Sequence, residues 1–205
     1  MKKRLLSPRG YLSHTQIDLW MRRPELYIER YVHGGAEQRS ARMDFGSKAA
    51  LALENGEETD DELLNMLVTV LPKYDLPEEE IRAILDTPAG SVELLGKPDT
   101  LRSTDWAFRE YKTGVAKWTQ GRADKHRQLD HYASILWLNH KKLPASIHLD
   151  WAETIDDDGR IALTGKVATF EVKKTVADVL KYLALAGKVA REIDEAYRKE
   201  LQKLS

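Results

Sequence analysis

Apolar positions fall into two textures along this chain. Up to about residue 90 they recur at helical spacing. Ile17, Trp20, Met21, Leu26, Ile28 and Tyr31 follow Ser13-His14-Thr15-Gln16, where Ser and a Gln three residues on have the form of a capping box. The spacing predicts a helix there, bent or broken at Pro24 and ended by Gly34-Gly35. A second helix is predicted over Arg42–Glu54, with Phe45, Ala49, Leu51 and Leu53 among its apolar residues and Asn55-Gly56 at its close. Asp60 to Leu71 reads as another, stopped by Pro72. Pro77-Glu78-Glu79-Glu80 reads as the opening of a further short helix, because Pro suits a first turn and acids suit a helix N-terminus. Pro88-Ala89-Gly90 then breaks the pattern.

From Ser91 the texture turns to strands. Val92 to Leu101 and Trp106 to Lys112 read as two neighbouring strands with Arg102-Ser103-Thr104-Asp105 as the turn. Centring that turn on Ser103-Thr104 sets Leu101 opposite Trp106 and Asp99 opposite Phe108. Arg122 to Asn139 is helical, with Leu129, Tyr132, Ala133, Leu136 and Trp137 at three and four. Ala145 to Glu153 alternates through Ile147, Leu149 and Trp151. Asp156-Asp157-Asp158-Gly159 turns it back into a partner strand over Arg160–Val172. Thr175 to Leu204 is a long helix with Val179, Leu180, Leu183, Ala186, Val189, Ile193 and Tyr197 on its apolar side. The fold class expected is α/β: one domain over 1–205, with a mainly helical lobe at 1–90 and an α/β core at 91–205.

Composition narrows the chemistry. With 205 residues, 42% hydrophobic and 32% charged, the chain suits one substantial globular domain. The sequence contains 0 Cys, which excludes disulfides, thiolate zinc and a Cys-ligated iron–sulfur cluster, and fits a cytoplasmic, intracellular setting. The basic start, Met1-Lys2-Lys3-Arg4, is followed by no long apolar run, so no secretory signal is read there. No segment approaches the ~20 apolar residues of a membrane span, so no membrane partner is expected. A net charge of -1 argues weakly against a general polyanion binder, yet local basic tracks exist. One is Lys2, Lys3, Arg4 and Arg9; the other runs from Lys112 through Lys117, Arg122, Lys125 and Arg127, broken only by Asp124. Surface charge suits the first track, and phosphate contact competes with it for the second.

Candidate chemistry lies just before that second track. Gly96-Lys97-Pro98-Asp99 precedes Arg109-Glu110-Tyr111-Lys112-Thr113-Gly114, an acid followed by Glu-x-Lys. Alternation along a strand puts Phe108, Glu110 and Lys112 on one face, and the register above adds Asp99 to it. Carboxylates suit a hard cation such as Mg²⁺ or Mn²⁺, and a lysine beside it can orient water or offset developing charge. Taken alone the pattern is short enough for chance, with an exposed strand face as its ordinary meaning. Gln128 and Tyr132, four apart on a helix, follow the lysine. Phe45-Gly46-Ser47-Lys48-Ala49-Ala50 precedes the acids, and Leu12-Ser13-His14-Thr15-Gln16 with Arg23-Pro24-Glu25-Leu26-Tyr27 opens the chain.

Together, from Ser13 to Tyr132, these segments resemble the RecB-like branch of the PD-(D/E)XK nuclease superfamily, which includes CRISPR-adaptation nucleases and phage exonucleases. The resemblance implies a restriction-endonuclease-like mixed sheet flanked by helices. It implies a metal-dependent DNA nuclease, an exonuclease rather than a sequence-specific endonuclease, working in DNA recombination, repair or phage DNA processing. Asp99 and Glu110 then look like metal ligands, Lys112 like the catalytic lysine, and Gln128 and Tyr132 like the pair that positions DNA. Implied partners are DNA and a recombination or helicase protein; implied settings are nucleoid-associated or phage-encoded. Two positions depart from the family pattern. Its helix histidine falls at Ala50, with Glu54 one turn on as an alternative oxygen ligand or an ordinary acid near a helix end. The cysteine that iron–sulfur relatives carry before the Pro is Arg23. The first departure leaves a catalytically impaired DNA-binding protein, or an accessory subunit of a helicase-nuclease or CRISPR-adaptation complex, as the alternative.

Several other residues carry plainer meanings. His14, His126 and His131 lack metal-site spacing and suit surface or core roles. Trp118 can stack on a base or pack in the interior. The Asp156–Gly159 run lacks the spaced oxygens of a calcium loop and reads as a turn.

Overall fold

The computed structural model describes residues 4–36, 39–56 and 59–204. In chain order its elements are β1 (Tyr11–Ser13), α1 (His14–Arg22), α2 (Pro24–Tyr31), α3 (Ala41–Asn55), α4 (Glu62–Val70), β2 (Leu76–Pro77), β3 (Ile81–Thr87), β4 (Gly90–Gly96), β5 (Thr100–Leu101), β6 (Phe108–Gly114), α5 (Gln120–Asp124), α6 (Arg127–His140), β7 (Ile147–Asp157), β8 (Arg160–Glu171) and α7 (Val176–Leu204). The smaller sheet runs β1-β4-β3 and the larger β2-β5-β6-β7-β8. Both are mixed: β1 with β4 and β6 with β7 are parallel, the other pairs antiparallel. Two mixed sheets flanked by helices make an α/β fold consistent with the restriction-endonuclease-like architecture.

Strand parity explains the layering. Phe108, Leu149 and Trp151 join the main core with Leu129, Tyr132 and Leu136 of α6 and with α7. Tyr111, Ala152, Leu163 and Val167 turn the other way, against Ala49, Ala52 and Leu53 of α3 and Leu64 and Leu67 of α4. The larger sheet is thus covered by α6 on one face and α3–α4 on the other. On the α3 face Arg109 makes paired 2.8 Å bonds to Asp150, with both side chains buried.

Three expectations give way. Residues 81–87 are a strand, not helix: Ile81, Ala83 and Leu85 are buried while Arg82, Ile84 and Asp86 face out, and pairing with β4 outweighs a short acidic helix start. The expected strand over Val92–Leu101 is two strands in different sheets, with Lys97-Pro98-Asp99 crossing between them. The turn is longer than expected: Leu101 pairs Phe108 instead of Trp106. Trp106 adopts a left-handed φ of 62°, Arg102 clasps Asp105 with two 2.7 Å bonds, and the Arg102 N–H donates to Ala107 O at 2.8 Å. The shift is two residues, so face parity survives and Asp99 comes opposite Glu110. Smaller departures are a break between α5 and α6 at Lys125-His126, and Leu180, which is 51% exposed on α7.

Candidate active site

The crossing segment brings Asp99 to the edge of β6, and its carboxylate is fixed by the main chain: Tyr111 N–H donates to Asp99 Oδ2 at 2.5 Å. Glu110, on the opposing position of β6, is 2% exposed. Its Oε1 accepts from Lys112 Nζ at 2.5 Å; its Oε2 is buried with no hydrogen-bond partner among the described residues. Lys112 Nζ also donates to Gln128 Oε1 at 2.8 Å. Gln128 Nε2 donates to Tyr132 OH at 2.7 Å, and Tyr132 OH donates to Lys97 O at 2.9 Å. A closed chain of contacts therefore runs from the lysine, through α6, to the segment that carries Asp99. Gly96 begins that segment because nothing larger fits: a Cβ there would lie 2.7 Å from Tyr132 Cδ1.

Electrostatics follow from this enclosure. Burial, then the neighbouring Glu110 charge, holds Asp99 well above the usual carboxylate range. Burial raises Glu110 as well, more than Lys112 lowers it. Burial alone would lower Lys112, but the Glu110 and Asp99 charges outweigh it, so the lysine stays protonated. The site is two confined carboxylates against one fixed cation, with a buried oxygen unsatisfied. An added divalent cation would meet hard oxygen donors here, as Mg²⁺ and Mn²⁺ prefer. Among the described residues no group of three or more acids or histidines converges tightly enough to hold a metal.

A cleft of ≈ 590 Å³ opens onto this cluster, walled by Thr15, by Arg42, Gly46 and Ala50 near and on α3, and by Asp99 and Lys112. A second hollow of ≈ 570 Å³ shares Arg42, Lys112 and Thr113 with it and continues to Trp118, Arg122 and His126. A groove of ≈ 610 Å³ lies elsewhere, floored by Leu85, Leu138, Leu180 and Leu183, and lacks paired carboxylates.

The sequence candidates divide accordingly. Asp99, Glu110, Lys112, Gln128 and Tyr132 come together. Tyr132 is 5% exposed and bonded within the protein, so it braces the site from below. Glu54 is exposed and does not line the cleft, although its neighbour Leu53 does. Trp118 is not open to a base: it is buried, its face covered by the Arg122 guanidinium at 4.1 Å and its edge met by His126 at 5.1 Å. Arg122 also donates to Ala116 O at 3.1 Å, while Lys117 and Lys125 are exposed outside both hollows. In the first basic track, Lys2 and Lys3 lie outside the described residues; Arg4 donates to Gly10 O at 3.0 Å and Arg9 lies 5.0 Å from the Tyr31 ring. His131 is a core residue, its ring nitrogens at 3.0 Å from Tyr182 OH and 2.8 Å from Leu95 O. Burial lowers it to about 4. Burial also lowers His14 to about 3 and His126 to about 4, so both are neutral near neutral pH.

Sequence reading missed Glu78 and the Lys97 carbonyl. Glu78 N–H donates to Asp99 O at 3.1 Å and its carboxylate meets Lys97 Nζ at 2.5 Å. Only the pairing of a two-residue strand, β2, puts Glu78 there, and two residues carry no readable period.

Among the described residues no helix is long and apolar enough to cross a membrane. No protein-family model matches the chain, and no curated protein matches it. Two solved structures are similar in shape. SSO0001 is 14% identical with a TM-score of 0.48, over 90% of this chain and 77% of that one. The alkaline exonuclease LHK-Exo from Laribacter hongkongensis is also 14% identical, with a TM-score of 0.38 over 96% of this chain and 95% of that one. Similarity at this level says nothing of activity, which rests on the residues of the cleft.

Proposed function

We propose that this chain is a metal-dependent deoxyribonuclease that hydrolyses phosphodiester bonds from DNA ends. One observation carries the reading: the buried, unpartnered Glu110 Oε2, set across the strand pair from Asp99 and beside a lysine that keeps its charge. Asp99 and Glu110 would hold Mg²⁺ or Mn²⁺, which when bound acidifies water and offsets phosphate charge. Lys112 is the fixed cation. Because the carboxylates keep it protonated, it serves as a donor and charge stabiliser, not a base. Glu110 and Gln128 engage two of its hydrogens, leaving the third for a phosphate oxygen or attacking water. Gln128 sets the direction of that hydrogen, and Tyr132 keeps the Asp99 segment in register. Arg42 stands at the rim of the cleft, ready to meet a phosphate, although it is now paired with Asp156 at 2.8 Å. DNA is the proposed partner, with repair, recombination or phage DNA processing as the setting.

Ala50 favours a second reading. It lines the cleft where a ligand from α3 would stand, so a DNA-binding or accessory subunit with weakened cutting fits the same architecture. Linear and circular DNA, end-labelled where possible, would be incubated with the protein in Mg²⁺, Mn²⁺ or EDTA. Metal-dependent shortening of linear DNA with circles left intact supports the exonuclease. Nicked circles would replace it with an endonuclease, and DNA bound but uncut under every condition would favour the second reading.

A further inference from the structure

The groove floored by Leu85, Leu138, Leu180 and Leu183 takes no part in the site above, since it shares no lining residue with the cleft or the second hollow. It lies between α7 and β3 with its turn into β4. Gly187 lets helix and strand meet there, because a Cβ on it would lie 3.0 Å from Thr87 Cγ2. At ≈ 610 Å³ the groove falls within the ~300–1,000 Å³ of sites that take drug-sized groups. Leu180 opens it to solvent: helical spacing sets this residue on the apolar side of α7, yet half of it is exposed. Val176, one turn earlier on the same side of the helix, is exposed too. Two large apolar side chains in succession are thus left without cover.

Further along α7 the groove turns basic. Lys188 and Arg191 line it, both exposed, against one acid, Asp86. They reach Glu192 and Glu195 only at 3.8 Å and 3.9 Å, beyond hydrogen-bond length. Elsewhere on α7 the cations hold their acids closely, Arg198 meeting Asp194 at 2.9 Å and Lys203 meeting Glu200 at 2.6 Å. Lys188 and Arg191 therefore keep N–H groups for an incoming carboxylate. From Val176 to Arg191 the stripe spans about 22 Å at ~1.5 Å per residue, the length of about six or seven extended residues. An apolar trough of that length, with cations at one end, suits a stretch of peptide chain. Nucleic acid suits it poorly, because no aromatic side chain lines it on which a base would stack.

We propose that this groove docks an acidic peptide segment of a partner protein, its large apolar side chains on Leu180 and Leu183 and its carboxylates on Lys188 and Arg191. Charge complementarity selects the occupant. Apolar burial supplies attraction without direction, while two cations at one end set the register and reject basic sequences. The cleft that holds Asp99, Glu110 and Lys112 stays open when the groove is filled. The proposal stands whether or not that cleft is hydrolytic.

A phage-displayed library of random short peptides, panned on the whole chain, tests this without reference to cutting. Peptides that join large apolar residues to two or more acids should be enriched. Synthesised with a fluorescent label and followed by anisotropy, they should bind the wild type. Leu180→Asp, and Lys188→Glu combined with Arg191→Glu, should each weaken them by about tenfold or more. All three positions are exposed, so the fold should survive, as circular dichroism would check. Lys188→Gln combined with Arg191→Gln, which adds no repulsion along α7, should weaken them less but in the same direction. DNA cleavage by these variants should match wild type. Enrichment of basic or uncharged peptides, or of none, overturns the proposal. So does binding by both charge variants within twofold of wild type. A dimer in sedimentation velocity that Leu180→Asp abolishes would give the groove to a second copy of the chain instead.

Discussion

Replacing Gly96 with Ala should damage stability and site together, through one side chain. Gly96 does not have a positive φ, so the backbone itself tolerates Ala. The obstacle is the space taken by Tyr132. The new Cβ would lie 2.7 Å from Tyr132 Cδ1, 3.0 Å from Cε1 and 3.1 Å from Ile135 Cδ1. Carbon atoms rest at ~3.5–4.0 Å, so the ring must retreat by about 1 Å. It has little room, since its edge packs on Phe108 and its hydroxyl is bonded to both Gln128 and Lys97. Overpacking of this kind costs ~1–3 kcal/mol. A retreat of that size stretches the 2.9 Å bond to Lys97 O past bonding range and frees the segment carrying Asp99. A misplacement of about 1 Å at a reacting centre can cost on the order of 100-fold in rate. Urea denaturation of Gly96→Ala, Tyr132→Ala and the double variant measures the clash directly. Gly96→Ala should lose ~1–3 kcal/mol in the wild-type background and much less once Tyr132 is Ala. Equal cost in both backgrounds, or no cost in either, would refute the packing argument.

Three further outcomes follow from other parts of the fold. Asp150→Ala leaves Arg109 buried without its partner, and breaking such a pair costs ~3–5 kcal/mol; urea denaturation should show it, and a loss under 1 kcal/mol would contradict it. His131 has a folded pKa of about 4, below its unfolded value of 6.5, so the unfolded state binds the extra proton and stability falls as pH drops below 6.5. Between pH 7 and pH 5 this one residue should account for about 2 kcal/mol of loss. His131→Gln should flatten the pH dependence by that amount against wild type, and an unchanged slope would dismiss the assignment. Asp99 is destabilised as an anion by burial and by Glu110, so Asp99→Asn should melt above wild type in EDTA. Added Mn²⁺ should raise the melting temperature of wild type more than that of Asp99→Asn, and a melting point below wild type in EDTA would count against the site.

Much of this was legible in the sequence where a period is long or a cap is chemical. Ser13 caps α1 by accepting from Gln16 N–H, and Pro24 divides α1 from α2 as its chemistry requires. The convergence of Asp99, Glu110 and Lys112 depended only on strand parity, which a two-residue error in register leaves intact. What escaped was set by pairing between segments distant in sequence. β3 reads locally as an acidic helix start and becomes a strand because β4 supplies its partner. Glu78 and Glu54 show the same limit from opposite sides. Helical spacing placed Glu54 one turn beyond Ala50, yet there Leu53 lines the cleft and Glu54 is exposed outside it. Nothing local pointed to Glu78, which β2 carries to Asp99. Tyr132 and Trp118 look like DNA-facing aromatics by type, and only packing shows one bracing Lys97 and the other covered by Arg122.

The central claim is that Asp99, Glu110 and Lys112 form one hydrolytic site. Single-turnover cleavage of end-labelled DNA in Mn²⁺ tests it most directly, comparing wild type with Glu110→Gln and Lys112→Ala, each first shown to be folded. Wild type should release labelled product, EDTA should stop it, and both variants should be slowed by about 100-fold or more while still binding DNA. Cleavage by either variant at the wild-type rate would contradict the account.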